Sequence, residues 1–402
     1  MQSRSSLSCQ AAQGRVPAGA GAGAAAHRFA VRLTPPGRGA VATVLAQAPD
    51  IVEIVAEFFV AAAGKELAEF PLQRIVFGHW VAQGEREDLV VCRTAANQIE
   101  IHCHGGQAAS SRILESLRQR GLDEISWQQW LRCESQLAPL AAQARLALAE
   151  ARTTRTAAIL LDQERGLLEG ALQGVISQLD RGNHDQAGER LDQLLGFADL
   201  GSHLTTPWKV VLVGRPNTGK SSLINALVGF QRALVFDQPG TTRDVVTATA
   251  VIDGWPVELV DTAGLRNTDN PIEQAGVSRA RTQMQEADLI LLVHDLQTPW
   301  GETEAAVQGE YPRCLVVHNK SDLVPAFVCP PGDVCSSAIA SSGIDRLASA
   351  IAARLVPQPP PPQTPVPFTT CLIAQLRAAR AAVTQADDQA ARSILARCVS
   401  GS

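Results

Sequence analysis

Gly214-Arg215-Pro216-Asn217-Thr218-Gly219-Lys220-Ser221 lies between an apolar run, Val210-Val211-Leu212-Val213, and a helix-forming run, Ser222-Leu223-Ile224-Asn225-Ala226-Leu227. The octet is a complete G-x-x-x-x-G-K-[ST] phosphate loop in the strand–loop–helix setting that the motif needs. Its glycines let the backbone curl until its N–H groups face a nucleotide's phosphates, and the helix N-terminus adds a favourable dipole. Lys220 can reach the β- and γ-phosphates, and the Ser221 hydroxyl can bind Mg²⁺. Asn217, Thr218, Gly219 and Ser222 complete the phosphate-facing set.

A phosphate loop alone leaves ATP and GTP both open. Further along, Asn319-Lys320-Ser321-Asp322 follows the apolar run Cys314-Leu315-Val316-Val317-His318, which places it at a strand end. An Asp at position 322 can accept two hydrogen bonds, from the N1–H and the exocyclic amine of guanine, and adenine offers no such pair. Asn319 is suited to holding neighbouring loops, and the Lys320 stem to lying over the base. Ser336-Ser337-Ala338 resembles the backbone loop that contacts guanine O6, with Ser337 and Ala338 at the base. Between these segments stand Gly240-Thr241-Thr242-Arg243-Asp244 and Asp261-Thr262-Ala263-Gly264. Thr241 and Thr242 would face the γ-phosphate, with Thr242 also on Mg²⁺. Asp261 would hold the Mg²⁺ shell and Gly264 the γ-phosphate. Five elements in this order specify GTP with Mg²⁺ far more sharply than any one of them.

The hydrolytic step is less plainly written. Ras-like switches orient the attacking water with a Gln just after the DTAG glycine. Here that position is Leu265, which cannot hydrogen-bond. Glu273, in Asn270-Pro271-Ile272-Glu273-Gln274, can do so through a bridging water, or it is a solvated acid at a helix start. Asn217 can coordinate a monovalent cation beside the phosphates, or it is a turn residue. Lys220, Thr242 and Glu273 are the candidate catalytic set.

Outside this region the chain of 402 residues has room for two or three domains. A net charge of −5 gives no global attraction to nucleic acid, so any RNA contact must be local. Nine scattered cysteines without a CxxC pair fit reduced thiols of a cytoplasmic protein. No run of 18 apolar residues points to a membrane span. Residues 1–26, rich in Ser, Gly and Ala, read as a disordered extension.

Residues 27–108 mix strand runs at Val41–Leu45, Asp88–Cys92 and Gln98–Cys103 with a helical stretch at Ile51–Ala63, and are expected to form a small α+β domain. Residues 109–205 read as helical, with Leu161, Leu168, Leu172, Val175 and Leu179 on one apolar stripe. Strands alternate with helices through 206–357, as in a mostly parallel α/β domain. A Pro-rich linker spans 358–368, and 369–402 are helical again with Leu372, Leu376, Ala379 and Val383 on one face. Alone this tail would be marginal. The fold expected is an α/β phosphate-loop GTPase domain inserted in an all-α domain, preceded by a small α+β domain. His102 and His104 share a strand face and could bind metal, but without a third ligand the segment reads as a buried strand turning at Gly105-Gly106. Trp127 and Trp130 read as core contacts.

The run from Gly214 to Leu227, with Pro239-Gly240-Thr241-Thr242-Arg243-Asp244-Val245 and Asp261-Thr262-Ala263-Gly264-Leu265-Arg266, resembles the bacterial tRNA-modifying GTPases of the MnmE (TrmE) type. Era-like GTPases share part of it. Leu33-Thr34-Pro35-Pro36-Gly37-Arg38-Gly39-Ala40-Val41 and Ile99-Glu100-Ile101-His102-Cys103-His104-Gly105-Gly106 are similar to two N-terminal signatures of the family that plain Era-like proteins lack. The resemblance implies potassium-assisted GTP hydrolysis, with Asn217 and the stretch 232–241 as the K⁺-binding loop and Glu273 as the glutamate that orients water. It implies a homodimer through the N-terminal domain and across the G domains. It implies a folate-binding N-terminal domain for 5-formyltetrahydrofolate, with Arg38 and Glu100 on the matching motifs. With a flavin-dependent partner, the family installs an aminomethyl-type group on C5 of wobble uridine in tRNA.

Three segments depart from the family. Its Tyr-Thr-Gly-Glu-Asp-like loop is replaced by Arg93-Thr94-Ala95-Ala96-Asn97-Gln98, and the segment after the folate domain reads Leu122-Asp123-Glu124-Ile125-Ser126-Trp127. The family ends in Phe-Cys-Ile-Gly-Lys, whose Cys is needed for modification. This chain ends Ala396-Arg397-Cys398-Val399-Ser400-Gly401-Ser402. Cys398 is the candidate stand-in; lacking the aromatic and Lys neighbours, it is expected to be an unrelated cysteine on a shortened tail. Two readings follow: a tRNA wobble-uridine-modifying GTPase, or a diverged GTPase switch or assembly factor without modifying activity.

Overall fold

The computed structural model describes residues 28–401 apart from 36, 38, 83, 135–136, 231–246 and 263–280. The chain divides into two compact units, residues 1–136 and 137–402.

The first unit is built on seven strands: β1 (Phe29–Arg32), β2 (Val41–Gln47), β3 (Phe59–Ala61), β4 (Ile75–Ala82), β5 (Glu85–Ala95), β6 (Gln98–His104) and β7 (Asp123–Ile125). Their order is β3-β4-β5-β6-β2-β1-β7. Neighbours run antiparallel except β1 and β7, which are parallel. Alternation sorts the side chains. On β6, Ile99, Ile101 and Cys103 are buried, while Gln98, Glu100 and His102 point to the opposite face. The helix Gln107–Gln119 lays Ile113, Leu114 and Leu117 on the buried face. Each such side chain contributes about 1.5–3 kcal/mol on burial. Because this helix and β7 complete the sheet's cover and edge, the first unit runs to residue 136 rather than ending at 108. Trp127 and Trp130 pack on Phe29, Val31 and Leu45 on the sheet's other face.

The helix expected over Ile51–Ala63 stops at Ala56, and the aromatic, β-branched run Phe59-Val60 pairs instead with β4, Phe59 opposite Trp80. Strand β4 itself was not foreseen, although its burial alternates at nearly every residue.

In the second unit, helices Pro139–Glu150, Leu167–Asp180 and His184–Leu195 meet the C-terminal helices Thr370–Thr384 and Asp388–Ser400, and the helix Thr154–Glu164 packs on the first two. The apolar stripe through Leu161 is not one helix: Gly166, with φ of 94°, breaks it, and Leu168, Leu172, Val175 and Leu179 line the core from the second piece. Leu372, Leu376, Ala379 and Val383 are all buried. Arg380 grips Asp192 at 2.8 and 2.9 Å, and Arg392 meets Asp180 at 2.8 Å, joining the tail to the earlier helices. The end of the Pro-rich segment is docked too, since the Gln163 amide bonds Thr364 O and Val366 N.

The same unit holds a six-stranded sheet: β8 (Trp208–Val213), β9 (Thr247–Ile252), β10 (Trp255–Asp261), β11 (Leu289–Asp295), β12 (Leu315–Asn319) and β13 (Val334–Cys335). The order is β13-β12-β11-β8-β10-β9, parallel except for the β9–β10 hairpin. β11 is buried at every residue, as a strand covered on both faces must be. Helices Lys220–Phe230 and Ile344–Leu355 lie on the face of Leu212, Leu259 and Leu291, and Val307 and Tyr311 on the face of Val211 and Leu292. Arg155 of the helix Thr154–Glu164 holds the tip of the β9–β10 hairpin. Its guanidinium bonds Asp253 Oδ2 at 2.7 Å and lies 4.5 Å over the Trp255 ring.

Candidate guanine-nucleotide site

Strand β8 sits between β11 and β10, and the loop that leaves its carboxyl end is the phosphate loop. Ligands of open α/β sheets bind in this crevice. Gly214 has φ of 154°, and a Cβ there would stand 2.2 Å from Val293 O. Gly219 has φ of 89°, and a Cβ would stand 2.4 Å from the Asn319 amide nitrogen. Asn217 holds a left-handed conformation at φ of 63° with its side chain exposed. These positions let the chain turn tightly around the head of the loop.

Lys220 is buried, and its ammonium donates to Gly214 O at 3.0 Å and Arg215 O at 2.8 Å. It is thereby folded back over the loop. The Ser221 hydroxyl donates to Asp261 Oδ2 at 2.5 Å, although they come from different elements. Two hard oxygens brought together beside a phosphate loop fit Mg²⁺. Thr262 Oγ1 donates to Leu212 O at 2.8 Å and fastens the end of β10 to β8.

At the base end, Asn319 ties three segments. Its Nδ2 donates to Thr218 O in the phosphate loop at 2.8 Å, and its Oδ1 accepts from Ala338 N at 3.4 Å. Lys320 adopts φ of 62°, and its ammonium meets Asp295 Oδ2 at 2.6 Å. Burial opposes ionisation of Asp295, but hydrogen bonds from Lys320 and from the Gln297 backbone outweigh it and hold the carboxyl below its usual range. Ser321 N bonds Ser336 O, and Ser336 N bonds His318 O, which fixes the Ser336–Ala338 loop against β12.

One cleft of about 390 Å³ joins both ends. Asn217, Gly219, Lys220, Ser221 and Ser222 line the phosphate end, and Asn319, Lys320, Asp322, Ser337 and Ala338 the base end. Thr218 lies buried behind the loop. Thr241, Thr242, Gly264 and Glu273 lie outside the described residues, as does Arg38. Sequence reasoning missed Leu323 and Ile339, exposed apolar side chains at the base end, and the Asp295 that holds Lys320. A buried acid is common at strand ends, so Asp295 had no signal of its own.

The outlying candidates are placed differently. Glu100 lies on the outward face of β6, with Oε2 3.3 Å from His102 Nε2, and His102 Nδ1 is 3.1 Å from Thr43 Oγ1. His104 meets Glu87 at 2.6 Å, so both histidines have protein partners. Among the described residues no cluster of three His, Cys, Asp or Glu could hold a metal. Of that trio it is Cys103 that is buried. Cys398 is buried in the C-terminal helix, its thiol donating to Gln375 Oε1 at 3.2 Å. Burial, with Cys371 nearby, pushes that thiol up to about 11, and a thiol so held is a poor nucleophile. No described helix is long and apolar enough to cross a membrane.

A family model described as 50S ribosome-binding GTPase matches residues 209–320. The tRNA modification GTPase MnmE of Synechococcus sp. (strain CC9605) is 33% identical over 364 residues, covering 79% of this chain and 79% of the relative. That of Geobacillus thermodenitrificans (strain NG80-2) is 32% identical over 370 residues, covering 79% and 80%. That of Synechococcus sp. (strain JA-3-3Ab) is 35% identical over 327 residues, covering 73% and 71%.

Proposed function

This chain belongs to the family of the tRNA modification GTPases MnmE, and we propose that the cleft between the phosphate loop and the Asn319–Asp322 turn is where it binds and hydrolyses GTP. The observation that carries this is the Asn319 amide. It bonds the phosphate loop at Thr218 O and the base loop at Ala338 N, so the two halves of a guanine-nucleotide site are one hydrogen-bonded piece. In this reading Asp322 accepts from the guanine edge, Ser337 and Ala338 face its O6, and Lys320, braced by Asp295, lies over the ring. Lys220 neutralises β/γ-phosphate charge. Ser221, Thr242 and Asp261 are the residues that would hold Mg²⁺, which would offset charge developing on the phosphates.

The hydrolytic step is assigned to Glu273, orienting water in place of the usual Gln, and Asn217 is assigned to a K⁺ beside the phosphates. An amide oxygen on an exposed left-handed residue at the loop's rim is free to turn toward a cation. GTP turnover measured in potassium and in sodium tests the second assignment: about tenfold or more in favour of K⁺ is expected, because fixed positive charge at the phosphates acts on the transition state. Equal rates would remove the K⁺ role. Unchanged turnover in Glu273→Ala would remove Glu273 as the orienting group.

In domain terms, the sheet of the second unit with its helices is read as a G domain interrupting a helical bundle that the C-terminal helices complete. The sheet of the first unit is read as the folate-binding-like domain, with Glu100 and Arg38 toward 5-formyltetrahydrofolate. Val60, Ile75, Phe77 and Val81 are exposed on β3 and β4 of that sheet, and an apolar face of this kind supports self-association into a homodimer. The substrate is then tRNA, modified at C5 of wobble uridine together with a flavin-dependent partner.

A second reading, a GTPase switch without modifying activity, is favoured by one observation. Cys398 is buried and its thiol is held protonated. Mass spectrometry of tRNA nucleosides from cells with and without the gene separates the two. If the chain modifies tRNA, deletion removes a C5-aminomethyl-type wobble uridine and the wild-type gene restores it. Restoration by Cys398→Ser as well would show modification that does not pass through this thiol. An unchanged nucleoside profile in a strain lacking any second copy of the family would support the switch.

A further inference from the structure

The second residue of the phosphate loop has two attachments. Its backbone carbonyl, Arg215 O, accepts from Lys220 Nζ at 2.8 Å and from Thr218 Oγ1 at 3.1 Å. Its guanidinium leaves the cleft and meets Glu304 Oε2 at 2.8 Å. Glu304, at 0% exposure, is fully buried in the first turn of the helix Glu302–Glu310. It also accepts from Gly301 N at 3.1 Å. The path between the two charges is closed to any side chain at 301, where a Cβ would stand 2.0 Å from Arg215 Nη2. Gly301 has an ordinary extended φ of −137°, so it is this close approach that calls for glycine.

A buried carboxylate needs a charged or hydrogen-bonding partner. Here the partner lies in the loop that must cradle phosphate. That loop contains Asn217 in a left-handed conformation, which persists only where surrounding contacts over-determine it. Beyond the Thr218 hydroxyl on Arg215 O, three tethers do so: Lys220 to the loop's own carbonyls, Asn319 to Thr218 O, and Arg215 to Glu304. The first two belong to residues that face the nucleotide. The third belongs to neither base nor phosphate recognition, and it anchors the side chain of the residue whose carbonyl holds Lys220.

We propose that Glu304 is a positioning residue for GTP hydrolysis, acting through Arg215 to hold the phosphate loop and Lys220 in register with the β/γ-phosphates. It touches no reacting atom. Its effect falls on the step in which phosphate charge develops, because small displacements of a charge-stabilising group cost rate more than they cost ground-state binding. The inference rests on Lys220 as the phosphate ligand.

The test uses the full chain with GTP and Mg²⁺ and three forms: Glu304→Gln, Arg215→Lys, and the double variant Arg215→Met/Glu304→Leu. The double variant guards against simple unfolding, since exchanging a buried ion pair for apolar groups of similar size is often neutral for stability. GDP affinity, melting temperature, kcat and KM are measured for each. The expected result is a fall in kcat of about tenfold or more in Glu304→Gln and in the double variant, with GDP affinity within about threefold of wild type and the double variant melting near wild type. Arg215→Lys, which keeps the charge, is expected to recover part of kcat. Wild-type kcat and KM in the double variant overturn the proposal. So does a parallel loss of GDP affinity, melting temperature and kcat in both Glu304→Gln and the double variant, which is the pattern of a merely structural pair. Lys220→Ala separates this failure from failure of the premise. If Lys220→Ala abolishes turnover while Glu304→Gln does not lower it, only the positioning role falls; if Lys220→Ala turns over normally, the premise falls.

Discussion

Asp322→Asn is expected to lower GDP and GTP affinity by about 10²–10³-fold and to raise affinity for xanthine nucleotides. The carboxylate is exposed at the base end of the cleft, where it can accept from both N1–H and the exocyclic amine. Charge-assisted hydrogen bonds of this kind contribute about 1.5–3 kcal/mol each. An amide keeps one acceptor and turns an NH₂ toward the guanine amine, so one bond is lost and a donor faces a donor. Xanthine carries a carbonyl at that position, which accepts from the same NH₂. A pocket built to hydrogen-bond a ligand group discriminates strongly once that pairing is mismatched. Fluorescence titration with labelled GDP and XDP reads both arms. Retained guanine affinity in the variant would take Asp322 away from the base, and with it the assignment of GTP to this cleft. The fold should be untouched, because Asp322 is exposed.

Lys220→Ala is expected to reduce GTP turnover by about 10²–10³-fold, the scale on which loss of one preorganised charge-stabilising donor acts. With Lys220 in its proposed role at the β- and γ-phosphates, the loss should exceed the loss in GDP affinity. There is also a local cost. The ammonium is bonded to Gly214 O and Arg215 O, and its removal leaves two loop carbonyls without that donor. Single-turnover hydrolysis, with far-ultraviolet circular dichroism as a check on folding, measures the effect. Near-normal turnover in a folded variant would mean that phosphate charge is met elsewhere.

Both experiments probe residues that could be named before any coordinates, because each belongs to a contiguous motif whose chemistry is local. A phosphate loop needs glycine at 219 for backbone geometry and lysine at 220 for charge, and these demands fall within a few residues. Apolar, β-rich runs made β2 and β6 legible in the same way, and the run 370–384 declared itself through helical spacing. Where local signals conflict, the folded chain departs from its local pattern. Ile51–Ala63 looked helical throughout until pairing with β4 claimed Phe59–Ala61. The stripe ending at Leu179 looked continuous until Gly166 turned left-handed.

The sequence by itself determined the nucleotide class, the order of the site's segments and the residue types that meet phosphate and base. The tertiary structure alone decided which distant residues support them. It put Asp295 against Lys320 in the base site, and it put Glu304 beneath Arg215. It also assigned residues 107–134 to the first sheet and buried Cys398 among helices. The physical reason is separation along the chain. Motif chemistry is set by backbone geometry over a few residues, whereas ion pairs, strand edges and thiol burial depend on which segments the folded chain brings together, and a short window of sequence carries no record of that meeting.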